Sequence, residues 1–117
     1  VVTATIAEHD METLAGLTGT GNAYTISVTD ATVVASALNT LDGKTTVTVD
    51  AMSVGTLTGT AAAIATAISA STIDTAAGVA VTVDAGTAAA TDLNTIESNT
   101  STVVDVAHGV SNLHTNL

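Results

Sequence analysis

The chain has 117 residues and a formal net charge of −10, because eleven Asp and Glu residues are offset by one base, Lys44. Such a chain repels a phosphate backbone, so we expect no nucleic-acid partner, and no apolar run approaches the roughly 20 residues of a membrane-spanning helix. Phe, Trp and Cys are absent and Tyr24 is the single aromatic residue, so the core must consist of aliphatic side chains in thin, regular layers.

The predicted elements alternate between strands and helices along the chain. Five segments alternate apolar with polar residues, as half-buried strands do: 2–6, 24–28, 45–49, 79–83 and 100–104. Between the strands, apolar residues recur at helical spacing. These stripes are Met11, Leu14 and Leu17; Val34, Leu38 and Leu41; Leu57, Ala61, Ile64 and Ile68; and Ala89, Leu93 and Ile96. We expect a helix after each strand, with an extra helical turn and a loop over residues 69–77.

The alternation also predicts which face of the sheet is buried. The apolar set is Ile6, Val28, Val49, Val83 and Val104, whereas the solvent face carries Thr residues such as Thr48 and Thr82. The strands of a doubly wound sheet, which is covered on both faces, are continuous apolar runs. The strands here are not, so the pattern favours a sheet that helices cover on one face only.

The predicted fold class is therefore α/β: a repetitive strand–helix solenoid with one parallel sheet, its five strands in chain order and its crossovers right-handed. The array forms a single domain over residues 1–117, with units of about 1–23, 24–44, 45–78, 79–99 and 100–117. The sequence begins at Val1 without Met, and no charged residues shield its terminal strands. We expect an excerpt of a longer array, or a subunit that self-associates through its terminal repeats.

A duplication underlies this prediction. The segment 28–50 recurs at 83–105 without a gap, so that Val28 aligns with Val83 and Asp50 with Asp105, and nine of the 23 positions are identical. Self-similarity at a fixed period is typical of repeat architectures.

Three carboxylates follow or end predicted strands at equivalent positions: Asp50, Asp84 and Asp105. Equivalent residues of neighbouring parallel strands lie about 4.8 Å apart, so the three could form a row that binds Ca²⁺. The chain lacks both the nonapeptide of calcium-binding β-helices and the EF-hand loop. We interpret these residues as helix caps and retain calcium as the alternative.

No catalytic or cofactor-binding constellation is recognisable, and we predict no enzymatic activity and no cofactor. His9 lies near one end of the predicted array, whereas His108 and His114 lie at the other, so they do not form a metal site. Gly residues 16, 19 and 21 match neither a phosphate-binding loop nor the dinucleotide fingerprint.

Threonine on the solvent face offers a possible ligand surface. Thr25, Thr46, Thr48 and Thr82 fall on it, and the Thr-x-Thr pattern at 46–48 resembles that of ice-binding solenoids. Thr is also a favourable residue for any exposed strand position, because it is β-branched and polar. A module that binds ice or carbohydrate through this face therefore remains an alternative to a structural role.

Three phrases carry a family resemblance: residues 90–96 (ATDLNTI), 47–51 (VTVDA) and 57–62 (LTGTAA). They resemble Thr- and Ala-rich tandem repeats of giant secreted or cell-surface proteins of marine cyanobacteria. The resemblance implies an extracellular or cell-surface location and a structural or adhesive role, and it supplies no catalytic residues. Acidity with abundant Thr and Ala also favours a secreted protein.

Overall fold

The computed structural model describes residues 1–84, 88–102 and 104–106. Within these ranges the chain forms eight short strands and four helices. The strands are β1 (Thr3–Thr5), β2 (Ala23–Thr25), β3 (Thr32–Val34), β4 (Val49–Ala51), β5 (Thr56–Gly59), β6 (Ile73–Thr75), β7 (Ala80–Val83) and β8 (Val104–Val106). The helices are α1 (Met11–Leu14), α2 (Ala35–Asp42), α3 (Ala61–Ser69) and α4 (Ala90–Asn99).

The paired strands are parallel and lie in small sheets, with no closed barrel among the described residues. β1 pairs with β2, β4 pairs with β6, and β3, β5, β7 and β8 form a four-stranded sheet in that order. The register places Thr3 beside Ala23, and Thr32 beside Thr56. Each strand therefore pairs with a strand that lies 20 to 24 residues away in sequence. We call the segment from one strand to its partner a pass of the chain.

The helices follow the same order in space as in sequence. α1 contacts α2, α2 contacts α3 and α3 contacts α4. Both α2 and α3 also contact the four-stranded sheet, α2 through β3 and β5, and α3 through β5 and β7. The protein is elongated, with principal extents of 47 × 22 × 22 Å.

Local sequence determines where two of the helices begin. Asp10 precedes α1, and its carboxylate accepts a hydrogen bond from the backbone N–H of Thr13. Thr60 precedes α3 and accepts from the N–H of Ala63. Gly59 has φ +131°, a conformation that side chains disfavour, at the junction between β5 and α3.

The core consists of aliphatic side chains that repeat from one pass of the chain to the next. In the four-stranded sheet Val33 lies beside Leu57 and Leu57 beside Val81, and these three are at most 2% exposed. In the two-stranded sheet of β4 and β6, Val49 lies beside Ile73, and the two are 0% and 4% exposed. Complete burial of one such side chain stabilises the fold by about 1.5–3 kcal/mol. The core is therefore stabilised by many aliphatic side chains of moderate size and not by aromatic rings.

The α/β class and the parallel strands are confirmed, but the prediction of one sheet is wrong. Val49 does not lie beside Val83 in a common sheet; it pairs with Ile73, and Val83 pairs with Gly59. Three strands are missing from the sequence-based prediction, namely β3, β5 and β6. The segment 69–77 contains β6 and not only a helical turn and a loop.

The missed strands have a common physical explanation. A three- or four-residue strand spans too few positions to show a period of two, and each of these lies next to a helix. In the sequence, Val34 and Leu57 therefore fit helical stripes, although Leu57 is in β5 and Val34 is 50% exposed at the end of β3. The predicted strand 45–49 overlaps β4 only at Val49, and the predicted strand 100–104 overlaps β8 only at Val104. The predicted orientation at the start of β4 is right, because Val49 is buried and Thr48 is exposed.

Candidate functional site

Exposed threonines form a file across successive passes of the chain, which we name the threonine file. It consists of Thr5, Thr25, Thr48 and Thr72. Thr5 and Thr25 are register partners in β1 and β2. The parallel bridge between Ser27 and Asp50 places Thr25 level with Thr48, because each lies two positions earlier. The pairing of Val49 with Ile73 likewise places Thr48 level with Thr72.

The side chains of the threonine file are polar and uncharged. All four residues are exposed, and neighbouring parallel strands lie about 4.8 Å apart. The Thr72 hydroxyl donates to Oδ2 of Asp42 at 2.6 Å, which fixes its orientation. Regularly spaced hydroxyl and methyl groups of this kind can contact an ordered ligand surface.

Not every predicted face residue belongs to this file. Thr25 and Thr48 do, and Thr46 is exposed two positions before Thr48, with its hydroxyl 3.4 Å from the carbonyl of Asn22. Thr82 lies in β7 of the four-stranded sheet and is half-buried, so it is separate. The alternation in the sequence also puts Thr5 on the solvent face, but level with Ser27, whereas its register partner is Thr25. Thr72 is not singled out by the sequence.

The predicted row of strand-end carboxylates is rearranged. Asp50 lies beside Asp74 in the β4–β6 pair, whereas Asp84 follows β7 and Asp105 lies beside Thr82. Asp50, Asp84 and Asp105 therefore do not form one row. The carboxylate of Asp50 accepts from the N–H of Met52 at 3.1 Å, so it stabilises a turn and not a helix N-terminus. Within the described ranges, no group of three or more His, Cys, Asp or Glu side chains could hold a metal ion.

The acidic segment around α1 is engaged in local structure. His9 Nδ1 lies 3.1 Å from the carbonyl oxygen of Ser27, and Asp30 accepts from the N–H of Met11 at 2.9 Å. Hydrogen bonds from the Thr13 side chain, and then from its backbone, hold the pKa of Asp10 below its usual value. These contacts connect the segment before α1 to the segment after β2. His108 and His114 lie outside the described residues.

A repeated polar motif, which the sequence did not reveal, replaces part of the strand pairing. The hydroxyl of Thr45 donates to the carbonyl of Tyr24 at 2.6 Å and accepts from the N–H of Tyr24 at 2.9 Å. It also accepts from the N–H of Val47 at 3.1 Å. The Thr45 side chain thus satisfies the backbone N–H and C=O of Tyr24, at a point where backbone hydrogen bonds between the two passes are interrupted.

The same motif recurs at the duplicated positions. The Thr100 hydroxyl donates to the carbonyl of Val79, and the N–H of Thr102 donates back to the Thr100 hydroxyl. In the alignment that the duplication defines, Thr100, Val79 and Thr102 are the counterparts of Thr45, Tyr24 and Val47. The identity of the two threonines in the duplication therefore corresponds to a shared structural role.

No protein-family model, curated protein or solved structure matches the chain. The longest of the described helices, α4, has ten residues, and none of them is long and apolar enough to cross a membrane.

Proposed function

We propose that this chain is a non-enzymatic structural or adhesive repeat module of an extracellular polymer or giant surface protein, built as a strand–helix solenoid. The observation that carries the proposal is the parallel pairing of successive passes, at an offset of 20 residues between β1 and β2 and of 23 or 24 residues in the other strand pairs. In such a stack each pass buries its faces against its neighbours, so the array can be extended without a new core. That property suits a scaffold.

The duplication supports a tandem module. The bridge between Ser27 and Asp50 recurs as the pair Thr82 and Asp105, at the positions that the duplication makes equivalent. The bond from Thr46 N–H to the Asn22 carbonyl recurs as that from Ser101 N–H to the Ala77 carbonyl, at 2.9 and 2.8 Å. A unit that reproduces its own contacts can be repeated along a longer chain. The resemblance to repeats of giant secreted proteins and the charge of −10 agree with an extracellular setting.

The β1 edge supports end-to-end self-assembly as part of this function. Ile6 N–H donates to the Thr25 carbonyl and Ala23 N–H to the Val2 carbonyl, so alternate residues of β1 bond to β2. The N–H and C=O groups of Thr3 and Thr5 therefore point to the other edge, which has no strand beside it among the described residues. Ile6 is only half-buried, whereas Ile26 in the next pass is 0% exposed. A second copy that pairs with β1 would complete this layer.

Sedimentation velocity of the whole chain at about 0.05 M and about 1 M NaCl tests the proposal. Screening of the negative charge should shift the chain from monomers to larger species as salt rises. Thr5→Pro removes an outward N–H and should prevent this shift, whereas Thr5→Val keeps the N–H and should still assemble. A strict monomer at every salt concentration, or equal assembly of both variants, would contradict the proposed edge.

The threonine file favours a second candidate, a module that binds ice or a carbohydrate polymer through its exposed hydroxyls. The specific observation is that Thr5 and Thr25 are exposed register partners and that the exposed Thr48 and Thr72 directly precede the register partners Val49 and Ile73. Thr48→Lys should then abolish thermal hysteresis or glycan-array binding, while Thr66→Lys on the exposed face of α3 should leave it intact. Absence of both activities in the unmodified chain would leave the scaffold role alone.

A further inference from the structure

A pocket of about 200 Å³ lies between α1 and α2. It is lined by Leu14, Ala15, Ala37, Thr40, Leu41 and Lys44. Leu14 and Leu41 are each 2% exposed and form its inner wall, whereas Lys44 is half-buried at the end of α2. The pocket is therefore apolar inside and carries one charged group.

The pocket exists because α1 is too short for the helix that it covers. α1 has four residues and α2 has eight, which at 1.5 Å per residue is about 6 Å against about 12 Å. Ala37, Leu41 and Lys44 occupy one face of α2 and its continuing turn at helical spacing, and this face points to α1. A single helical turn leaves part of that face uncovered.

The charge in the pocket distinguishes it from the rest of the surface. Lys44 is the only Lys or Arg in a chain with eleven carboxylates, and no carboxylate is among the described residues that line the pocket. Lysine packs its methylene stem on apolar surface and presents the ammonium at the rim. The Thr40 hydroxyl already donates to the Ser36 carbonyl at 3.0 Å, so among the described lining side chains Lys44 is the donor that remains for a ligand.

We propose that this pocket binds a short aliphatic carboxylate, with its hydrocarbon tail against Leu14 and Leu41 and its carboxylate at the Lys44 ammonium. A cavity of about 150 Å³ can hold one benzene molecule, so this volume suits a tail of roughly six carbon atoms. A cation would be repelled by Lys44, and a neutral head group would form a weaker hydrogen bond with the ammonium than a carboxylate does. The net charge of −10 repels an anion, but at 0.15 M salt the Debye length of about 8 Å screens the carboxylates that lie further than this from the pocket.

Ligand titrations of the unmodified chain test the proposal without any change in folding. Hexanoate, hexan-1-ol and hexylammonium share one tail and differ only in the head group. Hexanoate should bind with a dissociation constant of about 1 mM or tighter, and at least about tenfold more tightly than the other two. NMR shifts should concentrate at Ala37, Leu41 and Lys44. Equal binding of all three, or no hexanoate binding up to about 10 mM, would overturn the proposal.

Variants then separate charge from volume. Lys44→Met keeps the stem and should weaken hexanoate about tenfold without affecting hexan-1-ol, whereas Lys44→Arg should retain hexanoate binding. Ala37→Leu fills the pocket and should abolish binding of both ligands. Ala62→Leu, at an exposed position of α3, is the matched control and should change neither. Unchanged binding in Ala37→Leu would place the ligand elsewhere and contradict the proposal.

Discussion

At the scale of single residues, two threonine hydroxyls form bonds that backbone groups form elsewhere. Thr45 and Thr100 each bond to a backbone carbonyl in the preceding pass, and Thr100 is the one buried polar residue among those described. The sequence shows that both positions are identical in the duplication. It cannot show that the hydroxyl bonds to the backbone of the preceding pass, because Thr is also common on exposed strand faces.

Removal of either hydroxyl should destabilise the fold. Thr45→Val keeps the side-chain shape but leaves the N–H and C=O of Tyr24 without this partner, which should lower the free energy of unfolding by about 1–3 kcal/mol. Thr100→Val should have a similar effect. Urea denaturation followed by circular dichroism measures both, with Thr48→Val at an exposed position as the control, expected within about 0.5 kcal/mol of the unmodified chain. A loss at Thr45 no larger than at Thr48 would contradict the assigned role.

At the scale of elements, the sequence predicts helices better than strands. The buried residues of α2 include Leu38 and Leu41, and those of α4 are Leu93 and Ile96, all of which belong to the predicted stripes. Helical periodicity is readable because these two helices have eight and ten residues. The much shorter strands are determined by what lies beside them in the next pass, which is information that a local pattern does not contain.

The start of α2 gives a direct test of this distinction. The helical stripe predicts that Val34 is buried, whereas the structure buries Val33 in β3 at 2% exposure and leaves Val34 at 50%. Val33→Lys should therefore abolish cooperative thermal unfolding, because it places an unpaired charge beside Leu57 in the buried core. Val34→Lys should change the free energy of unfolding by no more than about 0.5 kcal/mol. The opposite order in circular dichroism melts would restore the helical interpretation.

At the scale of the whole molecule, two periods coexist. The longer period, which relates 28–50 to 83–105, is visible as identity, and it reproduces local contacts such as those of Thr45 and Thr100. The shorter period is the offset between paired strands, and the sequence shows it only as similar hydrophobicity and not as identity. Val33, Leu57 and Val81, for example, are neighbours in one sheet and are all aliphatic, but they are not all the same residue. The register of the threonine file follows the shorter period, so the sequence puts Thr5, Thr25 and Thr48 on the solvent face without aligning them with one another or with Thr72.

Cysteine cross-linking tests the central claim, that spatial neighbours are successive passes of the chain in the register of the paired strands. The chain has no native Cys, and Asp50 and Asp74 are exposed register partners. Neighbouring parallel strands lie about 4.8 Å apart, within the Cα separation that a disulfide spans.

The double variant Asp50→Cys with Asp74→Cys should therefore form an intramolecular disulfide on mild oxidation, measured by non-reducing gel mobility and mass. Asp50→Cys with Asp84→Cys removes the same charge and joins the positions that a single five-strand sheet would bring together. The structure predicts that this second pair stays reduced. A disulfide at 50–84 and none at 50–74 would contradict the account.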